Sequence, residues 1–245
     1  MNFKGNFMSS SPLIEVVFEV RFAPKNNFAT ELLIAINQVF GNHLSIIHAD
    51  GLQFPAELKA QQQEFYYVPS YRVNYSLFSL WISDGALIVL MNTLDSQYKG
   101  WCDFKEIPLQ IIEILKRKDK VNEIQRFSLK YTNLIPTELA LKDLNISLKI
   151  GNKDLNESEK LSLKTEIKEG DFISITDISS HVELENRSDI TGETRRLAGT
   201  LFIIDVISNK GISGSENVDA DFLEGLEILH TKAKQIYSTI YQNKN

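Results

Sequence analysis

Residues 14 to 22, IEVVFEVRF, alternate so that Ile14, Val16, Phe18, Val20 and Phe22 fall on one face and Glu15, Val17, Glu19 and Arg21 on the other. Side chains of an extended chain repeat every two residues, so this stretch predicts a strand with one face in a core and one toward water. A strand of this kind needs paired neighbours and an apolar layer over its buried face. Pro24 stops it, Asn26 or Asn27 is placed to cap a helix, and Ala29, Leu32, Leu33, Ile36, Val39 and Phe40 then keep the helical period up to Gly41.

The neighbours come from two further regions. Beyond a polar connector around 61 to 63, the run from Phe65 to Thr93 is rich in Tyr, Val, Phe and Ile and is punctuated at Ser83-Asp84-Gly85, where Asp-Gly between alternating runs signals a hairpin. Strands are expected near 65–68, 72–82 and 86–93, as an antiparallel meander. An amphipathic helix over 104–117, with Ile107, Ile111, Ile114 and Leu115 inward, leads to a strand over 125–136. From Thr137 the chain is more polar, with strands expected at 144–150, 162–168, 172–184 and 197–208. Glycines from Gly211 to Gly214 precede a long helix over 219–241, in which Phe222, Leu226, Leu229, Ala233, Ile236 and Ile240 form a continuous stripe. Strands followed by helices, without strict alternation, predict an α+β fold: an antiparallel sheet with amphipathic helices packed on one face. The expected division is an N-terminal α+β half, 1–136, and a strand-rich half closed by the terminal helix, 137–245. The two halves suggest variants of one sheet-plus-helix unit, although no residue-level repeat joins them.

Composition narrows the function classes. The chain has 245 residues, 43% hydrophobic and 24% charged, which suffices for a core without metal or disulfide staples. Cys102 is the sole cysteine, so no intrachain disulfide can form, and a reducing, cytoplasmic setting is the expectation. The start lacks an uninterrupted apolar export stretch, and the longest apolar run, Ala86 to Met91, is far short of the roughly 20 residues of a membrane helix. A soluble protein without membrane association is expected. A net charge of −6 disfavours a generic phosphate-tracking binder, though a local basic patch is compatible with it.

Four segments together carry a resemblance: PLIEVVFEVRF at 12–22, YKGWCDF at 98–104, FSLKYTNLI at 127–135 and HTKAKQIYSTI at 230–240. In this order the chain resembles a sporadically distributed family of prokaryotic proteins of about this length, for which no activity is established. It departs from the family pattern at Lys130, where Arg usually precedes Tyr, and at Tyr237, where Phe is typical. The resemblance implies no catalytic residue, cofactor or metal. It does imply a setting, since patchy occurrence is like that of mobile defence or toxin-linked accessory genes.

Two groups of side chains are candidates for a site. In the polar segment HVELENRSDITGETRR, His181, Glu183 and Glu185 would share one face of a strand and begin a metal site, with Arg187, Arg195 and Arg196 available for phosphate or carboxylate. The same pattern is that of a solvated sheet face whose arginines balance Glu183, Glu185, Asp189 and Glu193. Tyr98, Trp101 and Phe104, with Gly100, form an aromatic cluster at the entry to the second helix, readable as a binding hot spot or as a clamp between meander and helix. Asn133 falls on the inward face of its strand and must find partners there. Lys130, on the opposite face, is expected to pair with Glu19 if the first strand is its neighbour. His230 has Glu227 and Lys234 as helical neighbours, at the edge of the stripe. Cys102 has no local base.

No phosphate loop, Cys-x-x-Cys pair, Gly-x-Ser-x-Gly elbow or His-Glu-x-x-His helix is present in the sequence. The leading expectation is therefore a non-enzymatic binding or regulatory protein without cofactor. Its partner would be a protein, encoded nearby and held by the exposed sheet face or terminal helix. A divergent hydrolase of nucleotides or nucleic acid using the 181–196 segment is the alternative. A nucleic-acid binder stacking bases on Tyr66, Tyr67, Tyr71 and Tyr75 is a third reading.

Overall fold

The structure is a computed structural model, and it describes residues 12–93, 98–117, 121, 123–136, 144–154, 160–187, 194–213 and 218–241. Its elements in chain order are β1 (Leu13–Phe22), α1 (Phe28–Phe40), β2 (Ser45–His48), α2 (Ala56–Gln61), β3 (Tyr71–Asn74), β4 (Ser79–Ile82) and β5 (Ala86–Asn92). These are followed by α3 (Trp101–Phe104), α4 (Glu106–Arg117), β6 (Glu123–Pro136), β7 (Lys149–Ile150), β8 (Lys153–Asp154) and β9 (Ser162–Glu169). The last four are β10 (Phe172–Arg187), β11 (Thr194–Ser208), β12 (Ile212–Ser213) and α5 (Val218–Ile240). Ten strands make one antiparallel sheet in the order β2-β3-β4-β5-β1-β6-β11-β10-β9, with β12 added beside β6. The α+β fold with helices against an antiparallel sheet is thus what the molecule adopts.

β1 lies at the centre, and its alternation explains why. Val16, Phe18, Val20 and Phe22 are fully buried while the intervening residues are half-exposed. The buried face is covered by α1, α4 and α5, which contribute Phe28, Leu32, Ile36, Ile111, Leu115, Phe222, Leu226 and Leu229 to a single hydrophobic core. Phe222 meets both Phe18, edge-on at 5.9 Å, and Phe127 at 5.0 Å. The stretches 1–136 and 137–245 are therefore joined twice, by the β6–β11 ladder and by α5 on β1 and β6.

Several local expectations are corrected. Residues 65–68 are not a strand: Gln63–Tyr67 form a 3-10 turn, where Phe65 stacks on Phe54 at 4.4 Å. The expected strand 72–82 is two strands, β3 and β4, turned at Tyr75–Phe78 by the Tyr75 N–H to Phe78 C=O bond. The helix expected over 104–117 begins earlier and is broken between α3 and α4, since Pro108 has no N–H to give the Phe104 carbonyl. Of the expected strand 144–150, Lys149–Ile150 forms a two-stranded ribbon with β8 turned at Gly151, whose φ is 57°, and Leu144 makes an isolated bridge with Tyr241. β2 and α2, too short for periodicity to reveal, lie between Gly41 and the connector around 61 to 63, where no element was expected.

Asn27 stands at the N-cap position of α1, as expected, but with φ 61° and no side-chain cap bond; Asp84, in the β4–β5 turn, accepts the Ala29 N–H at 2.9 Å in its place. The other Asp84 oxygen accepts from Lys59 of α2 at 2.8 Å, and both side chains are buried. The Asp-Gly hairpin exists, but neither Asp84 nor Gly85 has positive φ. Gly85 is closely packed, since a Cβ there would come within 2.9 Å of the Tyr67 ring and force it to shift.

Candidate functional site

Three of the four segments that carry the family resemblance meet beside α5. The long helix seats its stripe on β6, which turns His230 toward Tyr131 of β6 and Trp101 of α3. The Trp101 and His230 rings stack with centroids 4.3 Å apart and planes 5° apart, and the Tyr131 hydroxyl hydrogen-bonds His230 Nδ1 at 2.8 Å. One turn earlier on α5, Glu227 accepts from Trp101 Nε1 and from Lys105 Nζ, both at 2.9 Å. Tyr98 packs against Phe104 at 6.4 Å, and Trp101 lies 6.3 Å from it. The aromatic cluster Tyr98, Trp101 and Phe104 is thus assembled, with Phe104 fully in the core and Trp101 half-buried over His230.

The electrostatics follow from this packing. Burial pushes His230 toward its neutral form, against the opposing pull of Glu227. Burial raises the Tyr131 phenol well above its ordinary range and pushes Tyr98 up to about 12. The hydrogen bond from Lys105, more than the burial that opposes it, holds Glu227 below the usual carboxylate range. The network is a neutral imidazole held by a phenol and an indole, with a charged pair at its rim. Chemically it can fix the helix to α3, and it can exchange one proton at His230. Cys102, exposed beside Trp101, is not buried in it. Sequence reasoning placed Glu227 one turn from His230, but the partners Tyr131 and Trp101 lie 99 and 129 residues away and share no local pattern with it.

The 181–196 segment is arranged differently. β10 carries a bulge between Ser179 and Val182, and His181 sits in it with φ 54°. Beyond the bulge exposure still alternates, with His181, Glu183 and Glu185 exposed and Val182 and Leu184 partly buried between them. Glu183 lies across from Ala198 and Glu185 across from Arg196, and the Arg196 guanidinium donates to Glu185 at 3.1 Å. All four of His181, Glu183, Glu185 and Arg196 are exposed. Arg187 and Arg195 have strand backbone in β10 and β11, while their side chains, and residues 188–193, lie outside the described residues. Among the described residues no group of three or more His, Cys, Asp or Glu side chains is placed to hold a metal.

The tyrosines proposed as a stacking platform are elsewhere. Tyr71 and Tyr75 are each 8% exposed, the first bonded to Thr30 of α1 at 2.9 Å and the second stacked on Phe78 at 4.8 Å. They belong to the helix-covered face because β3 pairs its Tyr71 with Ile82, on the core side. Tyr67 covers the Arg21 guanidinium at 4.9 Å.

The opposite face of the sheet is free of α1, α4 and α5. Register places Glu15, Val17, Glu19 and Arg21 of β1 beside Arg126, Ser128, Lys130 and Thr132 of β6 and Ile203, Asp205 and Ile207 of β11. Lys130 does face β1, but it stands opposite Val17 and reaches Glu15 at 3.3 Å, while Glu19 pairs with Arg21 in its own strand. Glu15, on the other diagonal from Val17, is the residue Lys130 takes. Burial raises Asp205 above the usual carboxylate range, opposed by Lys130 and Arg126. Flanking this charged centre are half-exposed apolar residues: Trp81, Ile88 and Leu90 on one side, Ile173 and Ile175 on the other. Asn133, on the core face, gives its amide to the Phe202 carbonyl at 3.3 Å and not to the loop at Pro136.

No protein-family model matches the chain, and no curated protein matches it. No helix among the described residues is long and apolar enough to cross a membrane.

Proposed function

We propose that this protein is a non-enzymatic binding or regulatory protein that holds a protein partner on the open face of its sheet. The observation that supports this is the composition of that face. Its centre interleaves Glu15, Glu19 and Asp205 with Arg21, Arg126 and Lys130, and apolar side chains lie on both flanks. A partner with complementary charges in the middle and apolar groups at each side would match it, and mixed charge of this kind confers specificity more than bulk affinity. Nucleic acid would bring phosphates against three carboxylates, which disfavours it. The setting, as an accessory, sensor or immunity partner in a prokaryotic defence or toxin-linked system, rests on the family resemblance.

The test is a quantitative capture experiment with the full chain in its own host, followed by measurement of affinity for the protein captured in stoichiometric amount. The doubly substituted open-face variant Lys130→Glu/Ile203→Lys should bind that protein at least about tenfold more weakly, equivalent to about 1.4 kcal/mol. His181→Ala/Glu183→Gln should bind as the parent does. Equal binding by all three chains would overturn the assignment to this face.

A further inference from the structure

The two edges of the sheet are built on opposite plans. β9, at one end, reads SLKTEIKE and exposes Lys164, Glu166, Lys168 and Glu169, charges that discourage another strand from pairing there. β2, at the other end, reads SIIH, and residues 42–49 contain no Asp, Glu, Lys or Arg at all. Leu44, Ile46 and Ile47 are 59%, 36% and 47% exposed. Of the ten large hydrophobic residues exposed among the described residues, seven lie between 34 and 77, on α1, β2 and the turns beside them.

The hydrogen-bond parity of this edge is also determined. The Tyr75 N–H to Phe78 C=O bond puts the odd positions of β3 on β4, so its even positions serve β2. In agreement, Ala49 N–H donates to Ser70 C=O, which sets the odd positions of β2 inward. The N–H and C=O groups of Ile46 and His48 therefore point away from the sheet.

We propose that β2 is where two copies of this chain meet, pairing antiparallel about a two-fold axis so that the two sheets run into one. The occupant is a second copy because the strand is complementary to itself. An antiparallel two-fold centred on Ile47 sets the outward groups of Ile46 against those of His48 of the second copy, closing hydrogen-bonded pairs on either side of the axis. It places Ile47 against its own counterpart in the close, non-hydrogen-bonded pair and brings no like charges together. This surface is separate from the open face, so it stands or falls independently of the proposed function.

The experiment is sedimentation equilibrium on the full chain, with Ile47→Lys as the matched variant. Ile47 is exposed enough for lysine to be tolerated in the single chain, and circular dichroism verifies that the variant folds. The parent should be a dimer whose dissociation constant rises at least about a hundredfold in the variant. In a Cys102→Ser background, Ile47→Cys should oxidise to a covalent dimer, whereas Ile167→Cys on the β9 edge should not. A parent that is monomeric up to about 100 μM, a range that covers weak but specific association, would overturn the proposal. So would a dimer unaffected by Ile47→Lys.

Discussion

His230 is the residue whose behaviour in solution reports most directly on the packing around α5. Its neutral form is favoured in the fold by burial, facing Trp101 and Tyr131, with Lys105 and Lys234 adding to the effect and Glu227 opposing it. A histidine whose folded pKa lies below its unfolded value of about 6.5 contributes stability that is complete above that value. The contribution is lost as pH falls from there through the lowered folded pKa, because the unfolded chain takes up the proton first. The urea midpoint should therefore decline between pH 7.5 and pH 5.5 more steeply for the parent than for His230→Asn, and parallel curves for the two would contradict this. A second residue-scale expectation concerns the buried Lys59–Asp84 pair. Lys59→Met strands a carboxylate that is 2% exposed and should cost about 3–5 kcal/mol in urea denaturation. Adding Asp84→Asn should recover part of that loss. Neither site was legible from its neighbours in sequence. The His230 partners come from α3 and β6, and Asp84, marked in the sequence only as part of a hairpin turn, owes its burial to contacts with Ala29 of α1 and Lys59 of α2.

At the scale of elements, the alternation in 14–22 and the stripe in the terminal helix predicted β1 and α5 well, because each is long enough for its period to outweigh local exceptions. Short elements were hidden for the opposite reason: β2 has four residues and α2 six, too few for a period to register. The bulge at His181 was hidden too, since an extra residue in one strand is visible only against its partner. The seating of α5 depends on Gly225, where a Cβ would stand 2.6 Å from the Phe127 ring. Helix propensity alone predicts that Gly225→Ala gains up to about 1 kcal/mol. Phe127 is 1% exposed and held by Phe222, so the ring cannot swing away, and the substitution should instead destabilise by about 1–3 kcal/mol. Thermal unfolding of this single variant decides between the two signs.

For the whole molecule, the fold class was readable from the order of strands and helices, whereas the joining of its two stretches was not. Nothing in residues 125–136 announces that β6 pairs with β1 on one side and β11 on the other. That pairing makes α5 a shared support: Phe222 rests on β1 and β6, both from the N-terminal stretch. A chain ending at residue 217 should consequently lose its cooperative unfolding transition, and a truncated chain that retained it would show that the sheet stands without α5. Among the described residues the same one-sided layering leaves the opposite face uncovered, and the proposed function depends on it. Carboxyl and amine footprinting of the full chain, with and without the captured protein partner, reads that face directly. Labelling of Glu15, Glu19 and Lys130 should fall on binding while Glu183, Glu185 and Lys153 stay unchanged; unchanged labelling at the first three with protection at Glu183 and Glu185 would contradict the account.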